Sequence, residues 1–243
     1  RLLTEADPNG LTTTHTSHPL GIESWVEMPD ETMSCKAIRW VNNHPDAPEN
    51  ATFYEWTKTS GQAEQLVFYH KTGAKLRSVS TGFDGTLIYT DTEYDDKNRV
   101  VRVSTPYFKT GPTNEFTEYE YDAIGRKQSV RAPDGTTTSY EYDNISQRTT
   151  VSDGSISQSS RQYFNAAGWL SKSVDDAGNE VNYHYFSDGK LHQTMVASQP
   201  GTLVTIAYND RRQRTLLDDP NYGQKSATYN AFGEVLSQTN PKG

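Results

Sequence analysis

The 243-residue chain carries 31 Asp and Glu against 23 Lys and Arg, a formal net charge of −8, with no basic run that would favour a nucleic-acid partner. Only 33% of it is apolar, mean hydropathy is −0.82, and 15 Tyr outnumber 8 Phe, so the aliphatic core of an ordinary enzyme is undersupplied. An aromatic content of 11% speaks against disorder, the single cysteine, Cys35, rules out an internal disulfide or a Cys-based zinc site, and no apolar run approaches the ~18 residues of a membrane span.

The chain opens mid-pattern with RLLTEADPNG, whose DPNG (7–10) is a turn signal, and no signal peptide stands at Arg1, so a piece of a longer protein is expected. LTTTHTSHPLG (11–21) has the alternation of a strand followed by a turn at Gly21. Residues 11–68 also hold Trp25, Trp40 and Trp56, a Pro-rich loop NNHPDAPEN (42–50) and three strand candidates, KAIRWV, ATFYEWT and QLVFY. The preferred reading of 1–68 is a set of divergent repeats continuous with the sheet, because Trp on a sheet face usually fills space against neighbours. The alternative is a Trp-rich module whose Trp25, Trp40 and Trp56 make a ligand surface for a glycan.

From residue 69 the chain repeats. An aromatic residue followed by a turn recurs at Tyr69, Tyr94, Tyr121, Tyr142, Phe164, Tyr185, Tyr208 and Tyr229, eight units spaced 21 to 27 residues apart. Between these anchors a second turn recurs, as FDG (83–85), PDG (133–135), SDG (152–154), DAG (176–178), PG (200–201) and PKG (241–243). The intervening residues alternate with period two: Tyr119 and Tyr121 share one face, Glu118 and Glu120 the other. Each unit reads as strand, turn, strand, turn, and consecutive hairpins can satisfy one another's backbone groups. An all-β antiparallel hairpin meander of about 16 strands follows, and a sheet that long should twist and curve.

YDAIGR (121–126) followed by PDGTTTSYEYD (133–143) resembles the YD repeat of the Rhs family, found in insecticidal toxin complexes, polymorphic toxins, wall-associated proteins and teneurins. The match is specific at Tyr121, Asp122, Gly125 and Arg126 and stays in register at Tyr142, Asp143, Phe164, Gly168, Tyr185, Gly189, Tyr208, Tyr229 and Gly233, with Tyr69, Tyr94 and Asp95 upstream. Gly21 stands at the family's Gly position, with Ser17 in place of the Tyr. The resemblance implies a β-ribbon spiralling into a hollow shell which, in toxin members, encloses a C-terminal toxic polypeptide. The interrupted repeat over 83–108, ending near Pro106, also looks like a toxin shell. The family's C-terminal core domain and a toxin domain have no counterpart before Gly243, so a cut through a shell wall is expected.

Signals for chemistry are sparse: there is no Gly-rich phosphate loop, HExxH, GxSxG or EF-hand spacing. His15 and His18, three apart, would point to opposite strand faces, and His184 with His192 reads as a cross-strand neighbour pair. The acidic stretches 91–96 and 217–220 read as solvated turns rather than a Ca²⁺ site, and Cys35 as a small strand residue. Asp122 should bond the backbone of its turn, Gly125 take a left-handed conformation, and Arg126 pair with acidic neighbours such as Glu120.

The expectation is a non-enzymatic shell segment without cofactor or metal, part of a secreted or cell-surface protein. Its partners are neighbouring repeats and an enclosed toxin domain. A second copy could pair at the exposed edge strands. The competing reading is an extracellular carbohydrate- or protein-binding adhesion module.

Overall fold

The computed structural model describes residues 2–112 and 115–241, and the last two residues of the expected PKG turn, Lys242 and Gly243, lie outside the described residues. The fold is an antiparallel hairpin meander. The first strands are β1 (Leu2–Ala6), β2 (Thr12–Ser17), β3 (Glu23–Glu27), β4 (Met33–Trp40) and β5 (Ala51–Thr59). The repeats follow as β6 (Gln65–His70), β7 (Lys75–Thr81), β8 (Leu87–Tyr94), β9 (Val100–Ser104), β10 (Tyr107–Phe108), β11 (Phe116–Tyr121) and β12 (Lys127–Arg131). The remainder are β13 (Thr137–Asp143), β14 (Ser146–Ser152), β15 (Ser157–Phe164), β16 (Leu170–Val174), β17 (Glu180–Tyr185) and β18 (Leu191–Val196), then β19 (Val204–Tyr208), β20 (Arg214–Asp219), β21 (Gly223–Tyr229) and β22 (Val235–Thr239). A 3₁₀ turn (Pro200–Thr202) sits at the expected PG turn.

Two compact units divide the chain, residues 1–124 with 130–134 and residues 125–129 with 135–243. In the first, β1 to β9 pair in sequence order and β11 pairs with β9. In the second, β13 to β22 pair in sequence order, every pairing antiparallel. The eight aromatic anchors each fall at or one residue before the end of the first strand of a hairpin, from Tyr69 in β6 to Tyr229 in β21.

The repeat turn has one construction. In the hairpin after Phe164, Asn165 N–H donates to Trp169 O, and Gly168 N–H donates to Asn165 O, both at 2.9 Å. The Asn165 side-chain oxygen accepts the Ala167 and Trp169 amides at 3.0 Å each. The fourth residue of such a turn must be left-handed to follow the strand twist, which a residue without Cβ does at least cost. Gly125 does so with φ +89°, whereas Asn98 (φ 61°) and Arg212 (φ 67°) fill the same place in other repeats. The hairpin after Tyr142 departs: Asp143 lies directly opposite Ser146, so the turn is shorter and no left-handed residue is present.

The core is small and confined to the first unit. Among the described residues, the buried apolar side chains are Cys35, Ala37, Phe68, Ala74, Val79 and Tyr89, and Phe68 alone is fully enclosed among large ones. Phe68, Val79 and Tyr89 form its centre, with Val41, Ala47, Ala51, Tyr54, Leu66, Leu87 and Tyr107 packed around them. Val41 and Ala47 belong to the segment linking β4 to β5, and Ala51 opens β5, so the Pro-rich loop closes over the sheet like a strap. The second unit has no buried apolar side chain among its described residues, and its sheet is one layer thick in energetic terms.

The interruption near Pro106 has a local cause. β9 has five residues against eight in β8, so it pairs only with Thr92–Tyr94, and β10 covers the remaining edge by pairing Tyr107 with Tyr89 and Phe108 with Ile88. An uncovered β8 edge would leave backbone groups unpaired beside the core.

Candidate functional site

Two constructions stand out, one repeated and one unique. In the repeated one, the anchor tyrosine hydroxyl donates to a backbone carbonyl of the preceding hairpin. Tyr94 donates to Lys75 O at 2.9 Å, Tyr121 to Val100 O at 2.7 Å, Tyr142 to Lys127 O at 2.9 Å and Tyr229 to Arg214 O at 2.8 Å. In all four cases the acceptor is the first residue of the second strand of that hairpin. Each of these hydroxyls therefore ties one repeat to the one before it.

The residue after the turn's left-handed position adds a second tie. Arg99 lies 4.5 Å from the centre of the Tyr121 ring, Arg126 4.2 Å from Tyr142, and Lys190 4.6 Å from Tyr208. Trp169 fills the same place against Tyr185 at 5.4 Å. Arg126 thus reaches forward onto the next repeat's anchor ring, where a cation gains from the ring's negative face. A Cβ on Gly189 would stand 2.8 Å from Trp169 Cζ2, so that glycine also makes room for the stacking side chain.

Across β13 to β18 two adjacent rows differ in charge. One row runs Glu141, Arg148, Arg161, Val174, Glu180 across β13 to β17, each opposite the next. The adjacent row on the other face runs Tyr142, Gln147, Gln162, Ser173, Val181, Val196 without a charge. Directly opposed residues share a face, so the anchor-tyrosine face is the uncharged one along this row.

The unique construction is a polar cluster in the first unit, under the strap. Asp46, 7% exposed, accepts the Tyr89 hydroxyl and the Lys109 ammonium on Oδ1. Arg77 grips Asp91 with two parallel bonds, Nε to Oδ1 at 2.6 Å and Nη2 to Oδ2 at 2.7 Å, and donates Nη1 to Asp46 O at 3.2 Å. The Tyr107 hydroxyl donates to Asp91 Oδ2 at 2.7 Å, and the Asp91 amide donates to Ser104 Oγ at 2.8 Å. The His44 ring packs on Tyr54 and Phe68 at 5.0 and 5.1 Å.

Such a cluster of Asp, Lys, Tyr and His invites comparison with an acid–base site, where pKa values are drawn toward neutrality. Here they move the other way. Burial pushes the Asp46 carboxyl up, but bonds from Lys109 and Tyr89 outweigh it and leave it below the usual range. The bond to Asp46 raises Lys109 further into its charged state, and burial followed by Asp46 raises Tyr89 into its neutral one. The groups are locked in their ordinary ionisation states, which suits a fastening. No sequence signal marked Asp46 or Lys109, because they are 63 residues apart in two stretches that break the repeat.

The tryptophans do not converge. Trp25 lies opposite Cys35 and Trp56 opposite Ala37, on one face, while Trp40 lies opposite Phe53 on the other. Trp56 is engaged by Glu64 through its indole N–H at 2.8 Å and by Arg39 stacked 5.0 Å above its ring. His15 and His18 were expected on opposite faces of one strand; β2 holds His15 but ends at Ser17, and His18 lies in the following turn, where it accepts the Leu20 amide. His184 lies opposite Gln193, not His192, which packs against Phe186 at 4.3 Å. The Cys35 thiol is buried, and burial pushes its pKa up. In the acidic stretches, Asp91 and Asp95 are committed to Arg77 and Arg99, and the Asp219 carboxylate accepts two turn amides.

No protein-family model and no curated protein matches the chain. Solved structures do. The chain superposes on the Photorhabdus luminescens Tc holotoxin pore, solved with a TccC3 mutation, at a TM-score of 0.60 and 12% identity over 98% of its length. Its fold is one found in a Tc holotoxin. The crystal structure of TcdB2-TccC3-TEV matches at a TM-score of 0.58 and 10% identity, again over 98% of this chain. The chain spans 14% and 17% of the length of those two solved chains. At these identities the likeness speaks for the fold, and it agrees coarsely with the Rhs resemblance of the YD hairpins.

Proposed function

We propose that the chain is a segment of an Rhs-type shell wall, in a larger exported protein, whose task is to enclose a polypeptide. The observation that supports this best is the tyrosine stitching. The second unit has no buried apolar side chain among its described residues, and the hydroxyl bonds of Tyr142 and Tyr229, like those of Tyr94 and Tyr121 in the first unit, tie one hairpin to the one before it. Enclosure is geometric, and this reading assigns the chain no catalytic step. An adhesion surface built on Trp25, Trp40 and Trp56 would need those rings on one face, and the register divides them.

The test is protease challenge of the parent polypeptide carrying these residues. The polypeptide following the repeats should survive while the wall is intact and be digested once residues 69–243 are deleted. Digestion at the same rate with and without the wall would overturn the proposal.

A further inference from the structure

Residues 42–50 lie across the face of β5 to β8, and the strap has its own hinges. Asn42 (φ 40°) and Asn43 (φ 62°) at one end and Asn50 (φ 65°) at the other take the left-handed conformation, where the chain leaves the sheet and returns to it. Asparagine tolerates this region better than other residues with a Cβ. Between the hinges the polar fastening converges on Asp46, whose carboxylate holds Tyr89 and Lys109 and whose carbonyl accepts Arg77.

We propose that residues 42–50 are an acid-released strap, pinned to the sheet by the Asp46 carboxylate, whose opening uncovers Phe68, Val79 and Tyr89 while the hairpins beneath stay paired.

The charges around the pin set the direction. On the strap, His44 Nδ1 stands 3.9 Å from Asp46 Oδ2 and accepts the Asp46 amide at 3.3 Å. From β5 and β6 the strap meets the Tyr54 and Phe68 rings, from β7 Arg77, from β8 Tyr89 and Asp91, and from the segment around β10 Tyr107 and Lys109. At its Asn50 end, the strap's Glu49 lines a 580 Å³ groove together with His70, Glu93 and Asp95. Asp91 is committed to Arg77 and Tyr107 and cannot take over from Asp46. A proton on Asp46 therefore leaves Lys109 without its carboxylate partner and weakens the strap's grip on Tyr89.

The carboxyl's depressed pKa gives the sign: the pin is fully in place above the ordinary carboxylate range and is lost as pH falls through the lowered folded value. The strap stays shut at neutral pH and opens in strong acid.

Hydrogen exchange, corrected for intrinsic rates and followed from neutral pH to about pH 2.5, tests this. The His44 and Ala47 amides, bonded within the strap to Val41 O and His44 O, are the reporters, and the ladder amides of Val79 and Tyr89 are the reference. Strap protection should fall by about tenfold or more in acid while ladder protection persists. Asp46→Asn should exchange at the acid rate already at neutral pH and lose the pH dependence. Lys109→Met should shift the release upward in pH, because the carboxylate no longer faces an ammonium, and it serves where Asp46→Asn fails to fold. Strap protection that is unchanged in acid, or lost only together with the ladder, overturns the proposal, as does wild-type behaviour of both variants.

Discussion

Lys109 donates to the carboxylate of Asp46 from 63 residues downstream, joining the two places where the hairpin pattern is interrupted. One interruption supplies the strap, the other supplies β10 and the lysine, and between them lies Phe68, the one fully enclosed large side chain among the described residues. The first unit therefore has a small core where its strands are longest, while the second is held by its sheet ladder and tyrosine ties.

That difference predicts where truncation hurts. Phe68→Ala removes the central ring, and large-to-small changes at such sites cost about 3–5 kcal/mol. Ile206→Ala, on a partly exposed strand of the second unit, should cost clearly less. Urea denaturation of both variants, read by tyrosine and tryptophan fluorescence, checks the ordering, and equal losses would contradict it.

The tyrosine ties predict a hydroxyl-specific effect. Tyr142→Phe keeps the ring under Arg126 but loses the bond to Lys127 O, and Tyr229→Phe loses the bond to Arg214 O. Each should cost about 1 kcal/mol, the net worth of a neutral hydrogen bond, with the denaturant slope unchanged. Tyr140→Phe, on the same face but not an anchor, is the control. Losses equal across all three would show that the anchor position has no special role.

Two turn glycines separate backbone strain from crowding. Gly178 (φ +82°) has open space where a Cβ would stand, whereas at Gly189 (φ +86°) a Cβ would meet Trp169. Both Gly→Ala variants should lose about 1–2 kcal/mol for the left-handed backbone. Gly189→Ala should lose more, and Gly189→Ala combined with Trp169→Ala should recover the excess. Thermal denaturation of the set would show the recovery or its absence.

Most of the fold was legible because its signals are local. Each anchor, Asx residue and left-handed glycine acts within one hairpin, so Asn165 and Gly168 declared their turn in five letters. Face assignment was equally local: the parity that separates Tyr121 from Glu120 is intrinsic to a strand. What the sequence concealed depends on pairing. Trp25 and Trp56 share a face and Trp40 does not, and this follows from the register of β3, β4 and β5, which no short stretch encodes. The contact of Arg126 with the Tyr142 ring lies in the next repeat, beyond the reach of its own hairpin's pattern. Asp46 and Lys109 were invisible for the same reason, since each is an ordinary surface residue until the chain brings them together.

The SDG turn offers a prediction in acid. The Asp153 carboxylate accepts the amides of Ile156 and Ser155 and the Ser155 hydroxyl, each at 2.8 Å. These bonds favour the charged form and bring its pKa from the ordinary value of 3.8 down to about 2. A depressed folded value means that the turn's contribution is complete above the unfolded carboxylate pKa and is lost as pH falls through the folded one. An NMR titration should place the Asp153 midpoint near 2, and in Ser155→Ala it should move upward toward the ordinary value. The Asp153→Asn variant should show a turn whose amide shifts no longer respond over that range. A midpoint at the ordinary carboxylate value in the unmodified chain would mean that the three bonds are not formed in solution.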